Sequence, residues 1–132
     1  LMDRIDLQCE IMPLDFEEIS QAAPGETSAV IRERVIKARK IQEQRFINVK
    51  GVHCNAQMNE KHLQTYCVLS PESQSLLRTA MERLQLSARA YSRILKVART
   101  IADLEACEHI QSHHIAEAVG YRNLDRGDWA ER

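Results

Sequence analysis

Residues 86–119 place side chains that can bind anions at helical spacing. Ser87 and Ser112 each precede an apolar run, as the N-cap residue of a helix does. At about 100° per residue, one side of the first helix is apolar and the other side is cationic. The apolar set is Ala90, Ile94, Val97, Ile101 and Leu104, and the polar set is Arg89, Arg93, Lys96 and Thr100. The pattern predicts a core face and, almost opposite, a cationic face that an anion could use.

Arginines of this kind are used in phosphoryl transfer, but the phosphate-binding loop that this chemistry usually needs is missing from the sequence. A P-loop needs glycines whose backbone N–H groups wrap the phosphates, followed by Lys and by Ser or Thr. The four glycines of this sequence are isolated from one another, so the cradle is absent from it. Arginines that neutralise a transferring phosphoryl group need no such loop and can come from another domain or subunit. Arg4 and the face with Arg89 and Arg93 are the candidates for that role.

Five histidines and four cysteines raise the question of a metal site, but their spacing does not support one. No C-x-x-C pair occurs, and His113 and His114 point about 100° apart on a helix. Nothing local marks an activated serine or cysteine nucleophile. We therefore predict no metal ligands. The scattered cysteines are expected to be reduced thiols, which predicts a cytoplasmic protein.

Length and charge limit the remaining possibilities. With 132 residues the chain is at most one ordinary domain, and its net charge of −1 creates no global field for nucleic acid or membranes. The charge is uneven, because residues 28–50 carry seven basic residues against Glu33 and Glu43. The simplest interpretation of this basic patch is a solvated helix face. No apolar run approaches the length of a membrane span, so we expect no membrane partner.

The remaining periodicities predict a mainly α fold with one stranded segment at its front. Ile5, Leu7, Cys9 and Ile11 alternate and predict a strand that Pro13 ends. Because one strand cannot form a sheet alone, its partners are expected in another part of a longer polypeptide. Helices are predicted over residues 15–22, from 27 or 28 to about 46, from 59 to about 67 and from 70 to about 84. Asn59 and Ser70 are the predicted N-cap residues of the last two. Residues 47–58 are predicted to be a loop.

The apolar faces of two of these helices are predicted as well. The helix that ends near residue 46 is expected to bury Ile31, Val35, Ala38 and Ile41. The helix that follows Ser70 and Pro71 is expected to bury Leu76, Leu77, Ala80 and Met81. The predicted division of the chain is a strand segment over 1–14, a helical domain over 15–126 and a tail over 127–132.

Several segments together resemble one protein family. LMDRIDLQCEI resembles the end of the nucleotide-binding core of magnesium-chelatase-like AAA+ ATPases. LSARAYSRILKVARTIADLE, followed by HIAEAVGYR, resembles the C-terminal helical lid of the ComM/YifB group within that family. RERVIKARKIQEQRF, NAQM and LSPESQSLLRTAMERL fit the same pattern in the same order. The resemblance extends to Arg126 and implies an AAA+ lid, a helical bundle, with the last strand of the ATPase core attached.

The resemblance also implies roles for individual arginines. In the family, the arginine of the L-L-D-R motif is the arginine finger, which reaches the γ-phosphate of ATP on the neighbouring subunit, and Arg4 matches it. The arginine of the L-S-x-R motif is the sensor 2 residue, and Arg89 matches it. Arg93 lies on the same predicted face and is an accessory candidate for binding the nucleotide. Met2 departs from the usual leucine, which is a conservative change.

What the family needs beyond these arginines is not in this segment. The Walker A lysine, the Walker B acids and sensor 1 have no counterpart, so the segment alone is expected to be inactive. The resemblance implies ATP and Mg²⁺ as cofactors of the full-length protein, with neither bound by this segment alone. The implied partners are the AAA+ core of the same chain, the neighbouring subunits of a homo-oligomeric ring such as a hexamer, and DNA, since the ComM branch is associated with DNA processing during competence.

Two alternatives remain open at this point. The first is a stand-alone helical module that binds nucleic acid through the basic patch, although few aromatic side chains are available for stacking. Its candidate residues are Arg32, Arg34, Lys37, Arg39 and Lys40. The second is a subunit of a true magnesium chelatase, which inserts magnesium into a porphyrin and shares the AAA+ parts.

Overall fold

The computed structural model describes residues 1–21 and 23–122, so the predicted boundary at 126 and the predicted tail lie outside the described residues. Its helices are α1 (Phe16–Gln21), α2 (Ser28–Arg45), α3 (Glu60–Tyr66), α4 (Pro71–Leu84), α5 (Ala88–Leu104) and α6 (Ser112–Gly120). Short 3₁₀ turns occur at Met2–Arg4 and Asn55–Gln57, the second within the predicted loop. The mainly α class is confirmed.

The helix starts follow from capping side chains. The Ser70 hydroxyl accepts a hydrogen bond from the Ser73 amide at 3.1 Å, and Ser87 accepts one from the Ala90 amide at 3.1 Å. Two of the three predicted serine caps therefore satisfy free N–H groups of the first turn. The predicted cap of α6 is wrong by one residue, because Gln111 is the N-cap residue and Ser112 is the first residue of the helix.

Helix α5 is the central element of the bundle. It packs against α6, α2 and α3, while α4 packs against α6. The buried side chains of α5 that contribute to the core are Ala90, Ile94, Leu95, Ala98 and Ala102. The side chains that surround them from the other elements are Phe46, Val52, Met58, Leu63, Cys67, Leu77, Ile110, Ile115 and Ala118. One hydrophobic core therefore holds α5 in place along most of its length.

The buried face of α5 is the predicted one only in part. Ala90 and Ile94 are fully buried as expected, but Val97 and Ile101 are only partly buried and Leu104 is 40% exposed. The small side chains of Ala98 and Ala102 face the core instead. At about 100° per residue the cationic residues lie a quarter turn from the partly exposed apolar strip, so the expectation that they lie almost opposite it is wrong. Apolar periodicity alone could not find this face, because alanine carries little apolar signal.

The apolar faces predicted for α2 and α4 are confirmed only in part. On α2, Ala38 is buried, whereas Ile31 and Val35 are 42% and 37% exposed. On α4, Leu77 is buried, whereas Leu76 is 38% exposed. Helix α2 therefore covers α5 with one end and leaves an apolar strip uncovered at the other.

The predicted strand at the front of the chain is wrong. Within residues 1–21 and 23–122 the structure contains no strand, and the chain begins with the turn Met2–Arg4. In this turn the Arg4 amide donates to the Leu1 carbonyl and the Ile5 amide donates to the Met2 carbonyl, both at 3.1 Å. The extended residues that follow reach the end of α6, where the Gln8 amide donates to the Tyr121 carbonyl at 2.8 Å. A single such bond cannot form a ladder, so alternation here did not produce a strand.

The short helix α1 stands apart from the core. Its first turn is capped by Asp15, which accepts a hydrogen bond from the Glu18 amide at 2.8 Å. All of its described residues are exposed, including Phe16 and Ile19. In the described part of the chain, no helix combines the length and the apolar character that crossing a bilayer requires.

Candidate functional site

The fold brings the two arginines singled out by the sequence to one place. Asp3, in the 3₁₀ turn at the start of the chain, contacts the first turn of α5. Its carboxylate Oδ2 lies 3.8 Å from a guanidinium nitrogen of Arg89 and accepts a hydrogen bond from the Ser87 hydroxyl at 3.4 Å. Arg4 follows Asp3 directly in the chain. The turn that carries Arg4 therefore packs against α5, the helix whose first turn carries Arg89.

Both arginines are available to a ligand. Arg4 is exposed, and none of the described carboxylates forms an ion pair with it. The Arg89 side chain is 52% exposed, and its one described ion pair, with Asp3, is near the upper limit of such distances. A cation in the first turn of a helix opposes the helix dipole, a cost that a bound anion would offset. Each of the two arginines can thus offer a guanidinium group to an anionic ligand.

Arg93 differs from these two because it already has a partner. Its guanidinium pairs with the Asp6 carboxylate, and its side chain is 29% exposed. The Nε atom of Arg93 is buried and has no hydrogen-bond partner among the described residues. The structure therefore places Arg93 against the extended N-terminal segment. A phosphate would have to compete with Asp6 to bind it.

A groove of about 660 Å³ runs between α2, α5 and the N-terminal segment and reaches Tyr121. Its floor is the apolar strip left open by the packing of α2 and α5: Ile31, Val35, Val97, Ile101 and Leu104. Charged side chains form its rim, among them Arg34, Arg93, Lys96, Glu105 and Glu117. Arg4 and Arg89 do not line it. The groove and the two arginines are thus separate features of the structure.

A buried ionic network holds the N-A-Q-M segment against α5. The Asp103 side chain is fully buried, and its carboxylate accepts two hydrogen bonds from the Arg45 guanidinium, at 2.6 and 2.8 Å. Asn55 donates to the same carboxylate at 2.9 Å, and Arg99 lies 3.3 Å from it. Burial lowers the pKa of Arg99 from its ordinary value. Periodicity does not indicate this network, because polar residues on the buried side of a helix look like surface residues.

One cluster has donor atoms of the kinds that bind metals. Single ligand atoms of Glu105, Cys107 and His114 all lie within 4.8 Å of one another. However, the Nδ1 atom of His114 accepts a hydrogen bond from the Gln111 backbone amide at 2.9 Å, so this nitrogen carries no proton. A histidine that binds a metal through Nε2 instead carries a proton on Nδ1 and donates it.

The tautomer of His114 therefore suits a helix cap and not a metal ligand. In the neutral ring the proton lies on Nε2, which is 3.1 Å from a carboxylate oxygen of Glu105. Burial lowers the pKa of His114, which keeps the ring neutral. His109 and His113 are four residues apart, but only His113 lies on a helix, so they do not form a helical ligand pair either.

The basic patch lies on α2 and the turn after it. Arg34 is engaged with Glu26 through two hydrogen bonds of 2.6 and 2.9 Å, and this pair lowers the pKa of the Glu26 carboxyl. The other predicted residues of the patch on α2 are exposed: Arg32, Lys37, Arg39 and Lys40. The helix can therefore present four cations to a partner. Without a partner, this side of the helix is solvated.

Comparison with known proteins identifies the family. The model of the family described as magnesium chelatase, subunit ChlI C-terminal, matches residues 25–122. The competence protein ComM of Haemophilus influenzae is 42% identical over 126 residues, which are 95% of this chain and 24% of that protein. YifB of Salmonella typhimurium is 42% identical and YifB of Escherichia coli is 39% identical, each over 127 residues, with the same coverage. The chain spans about a quarter of the length of these relatives. It belongs to the family of magnesium chelatase ChlI C-terminal domains, as the C-terminal lid domain of the magnesium-chelatase-like ComM/YifB group.

Proposed function

We propose that this domain is the lid of a cytoplasmic, ring-forming AAA+ ATPase and supplies two cations to ATP hydrolysis. Arg4 is the arginine finger and Arg89 is the sensor 2 residue. The observation that carries the proposal is the position of Asp3, which connects the turn of Arg4 to the first turn of α5 beside Arg89. The exposure of both arginines and the packing of the Arg4 turn against α5 support a common role in binding the phosphates of ATP.

The chemistry assigned to the two arginines is charge stabilisation. As water attacks the γ-phosphate, negative charge is spread over the phosphoryl oxygens and the leaving group. A guanidinium is always protonated and can donate two parallel hydrogen bonds to phosphate oxygens, so it stabilises this charge without any proton transfer. Arg4 and Arg89 have the exposure that such contacts need. Arg93 would act as an accessory contact only where phosphate displaces Asp6.

The nucleotide and Mg²⁺ belong mainly to the rest of the ATPase. The donor chemistry described here is cationic, so these arginines suit phosphate and cannot ligate Mg²⁺ themselves. When bound, Mg²⁺ neutralises charge on the phosphates. Because a P-loop is absent from this sequence, we expect the segment alone to show no ATP turnover.

The decisive experiment replaces Arg89 in the full-length protein. Arg89→Ala is expected to lower the rate of hydrolysis about 10²-fold or more, while the affinity for ATP changes much less, because the side chain acts on charge that develops in the transition state. The matched control is Arg78→Ala, which removes another exposed helical arginine, on α4. Both variants are compared by steady-state turnover and by equilibrium nucleotide binding.

The measurements of turnover and nucleotide binding distinguish a sensor role of Arg89 from that of a surface residue. A selective loss of turnover in Arg89→Ala, with Arg78→Ala near normal, supports the sensor role. If Arg89→Ala retains near-normal turnover, Arg89 is a solvated residue and the proposal is wrong for it. A loss of ATP affinity equal to the loss of turnover would assign Arg89 to ground-state binding instead.

We also propose that the ring acts on DNA. Support comes from the four exposed cations on α2, which can neutralise phosphates, and from the name of the relative ComM, a competence protein. The relatives carry this segment as about a quarter of a longer chain, which favours a lid over a stand-alone nucleic-acid module. A true magnesium chelatase is the remaining alternative. Insertion of magnesium into a porphyrin by the full-length protein would support it, and ATP turnover stimulated by DNA would favour a DNA motor.

A further inference from the structure

The last described residue of the chain is a fully buried arginine. Arg122 is 1% exposed and has the largest side chain among the most deeply buried ones described. Its guanidinium donates to the Ile5 carbonyl through one terminal nitrogen, and to the Met2 carbonyl at 3.2 Å through the other. Burying a guanidinium is costly unless its donors are satisfied, so these bonds are a specific feature of the fold.

The two carbonyls that Arg122 holds belong to residues on either side of Arg4. The Met2 carbonyl is also the acceptor that closes the 3₁₀ turn, and it accepts a further hydrogen bond from the Gln8 side chain at 2.9 Å. Three donors therefore converge on one oxygen at the start of the turn. The planar fork of a guanidinium can hold two acceptors in a fixed relation, which a single ammonium cannot.

We infer that Arg122 is a positioning residue for the arginine finger. Its fork fixes the backbone before and after Arg4, so that the exposed Arg4 side chain starts from a defined point on the lid. The Gln8–Tyr121 backbone bond ties the same segment to the residue that precedes Arg122 in the chain. The end of α6 thereby sets the position of a residue that acts on the neighbouring subunit. This inference rests on the proposed role of Arg4.

The test uses the full-length protein and the variant Arg122→Met, which fills the space without hydrogen-bond donors. A displaced finger is expected to lower kcat between about tenfold and a hundredfold, since small misplacements of catalytic groups have effects of that size. The KM for ATP is expected to change less than about threefold. In the Arg4→Ala background, Arg122→Met should lower turnover no further than about twofold, because a residue that acts through Arg4 has no effect once Arg4 is gone.

Hydrogen exchange gives a second measurement that does not depend on activity. The Arg4 and Ile5 amides close the turn, so both are expected to exchange faster in Arg122→Met, while amides in the middle of α5 stay protected. If Arg122→Met does not fold, Arg122→Lys replaces it. The lysine variant keeps the charge and much of the buried stem but cannot hold both carbonyls, and the same changes are expected in smaller measure.

Arg99 offers a matched control. It is another buried arginine, 4% exposed, and it donates to two backbone carbonyls, those of Cys107 at 2.8 Å and Glu108 at 3.0 Å. These carbonyls lie in the connection between α5 and α6, away from the turn of Arg4. Arg99→Met is expected to lower thermal stability, and any loss of turnover should be fully additive with Arg4→Ala.

The inference and the proposed function fail in different ways. Normal turnover in Arg4→Ala alone would remove the finger role and with it the premise. Slow turnover in Arg4→Ala together with normal turnover in Arg122→Met would remove only the positioning role. If the loss of turnover in Arg122→Met adds in full to that of Arg4→Ala, as expected for Arg99→Met, Arg122 acts through stability. Unchanged hydrogen exchange at the Arg4 and Ile5 amides would also overturn the inference.

Discussion

Asp3 and Arg89 lie 3.8 Å apart, from the 3₁₀ turn at the start of the chain and the first turn of α5 respectively. The contact is partly exposed, with 31% of the Asp3 side chain and 52% of the Arg89 side chain open to solvent, so it adds little stability. Its importance is geometric. The residue before the proposed finger touches the proposed sensor, so a movement of α5 changes the surroundings of both.

Arg4 is expected to act between subunits. Rings of Arg4→Ala subunits should turn over slowly, and rings of subunits without the Walker A lysine should be inactive. Mixing the two should restore part of the activity, because some interfaces then pair an intact P-loop with an intact finger. The measurement is ATP turnover as a function of mixing ratio.

The control for this experiment is a mixture of Arg4→Ala subunits with Arg4→Ala, Arg78→Ala subunits, in which every interface lacks the finger. No rescue is expected there at any ratio. If mixed rings form and the first mixture also shows no rescue, Arg4 does not act on the neighbouring subunit.

Asp103 is expected to be the carboxylate on which folding depends most. Asp103→Ala would leave the largely buried guanidinium of Arg45 without its carboxylate partner, and breaking a buried ion pair in this way typically costs about 3–5 kcal/mol. The measurement is the free energy of unfolding in urea. Glu26→Ala breaks the exposed pair with Arg34 and should change it little. Equal effects of the two variants would contradict the view that the buried network holds the N-A-Q-M segment.

Cys67 is expected to make the stability of the chain depend on alkaline pH. Burial raises the pKa of its thiol from 9.0 to about 11. Between these values the unfolded chain loses the thiol proton while the folded chain keeps it, so stability present below pH 9 is lost as the pH rises. The full loss attributable to this thiol is about 3 kcal/mol, of which about 2 kcal/mol occurs below about pH 10.5.

The comparison that isolates this effect uses Cys67→Ala. Urea unfolding of both chains between pH 7 and pH 10.5 should show a smaller decline in the variant. Alkylation offers a further check, because the buried Cys67 should react far more slowly than the exposed Cys9. Parallel pH profiles for the two chains would show that this thiol does not contribute.

The basic residues of α2 are expected to contribute to DNA binding if the ring handles DNA. Lys37 and Lys40 are exposed, and loss of each phosphate contact should reduce the salt slope of binding by about one unit. A salt titration compares the full-length protein with a Lys37→Ala, Lys40→Ala variant. The control is Lys61→Ala, Arg78→Ala, which removes two exposed cations outside the basic patch. Indistinguishable slopes in all three proteins would remove Lys37 and Lys40 from the DNA-binding surface.

The helices could be predicted from the sequence because their starts depend on local chemistry. Ser70, Ser87 and Asn59 cap the helices that they were expected to cap, since a side-chain oxygen three residues before a free amide is a local arrangement. The start of α6 could not be predicted in this way, because its capping side chain lies within the helix. The His114 ring accepts a hydrogen bond from the Gln111 amide. Histidine is an unusual residue for this role, and its position in the sequence does not mark it.

Which side of a helix is buried could be predicted less well. Ala98 and Ala102 face the core, whereas Val97 and Ile101, which are more apolar, line the groove. That choice depends on how closely neighbouring helices approach, which is a tertiary property. The strand was predicted wrongly for a related reason, because alternation produces a strand only where a neighbouring segment can pair with it.

The candidate site shows the same division. The residue types and the family resemblance pointed to Arg4 and Arg89, but their proximity through Asp3 could not be derived from spacing along the chain. Arg122 ends the segment HIAEAVGYR, which resembles the family. An arginine at the end of a helix is usually exposed, so the sequence did not predict that Arg122 is buried. Only the packing of the turn Met2–Arg4 against it revealed its contacts.

The hydrogen bond between the Gln8 amide and the Tyr121 carbonyl, 2.8 Å long, joins the segment before the helices of the lid to the end of the last helix. Gln8 and Tyr121 lie side by side, so the helices of the described residues lie between two neighbouring points of the chain. Segments of this kind can be inserted into a host loop, or permuted by joining their ends, without crossing the core. The segment between residues 8 and 121 could therefore be exchanged between relatives with these helices intact, provided that the host chain supplies the Met2–Arg4 turn and the Arg122 bonds to it.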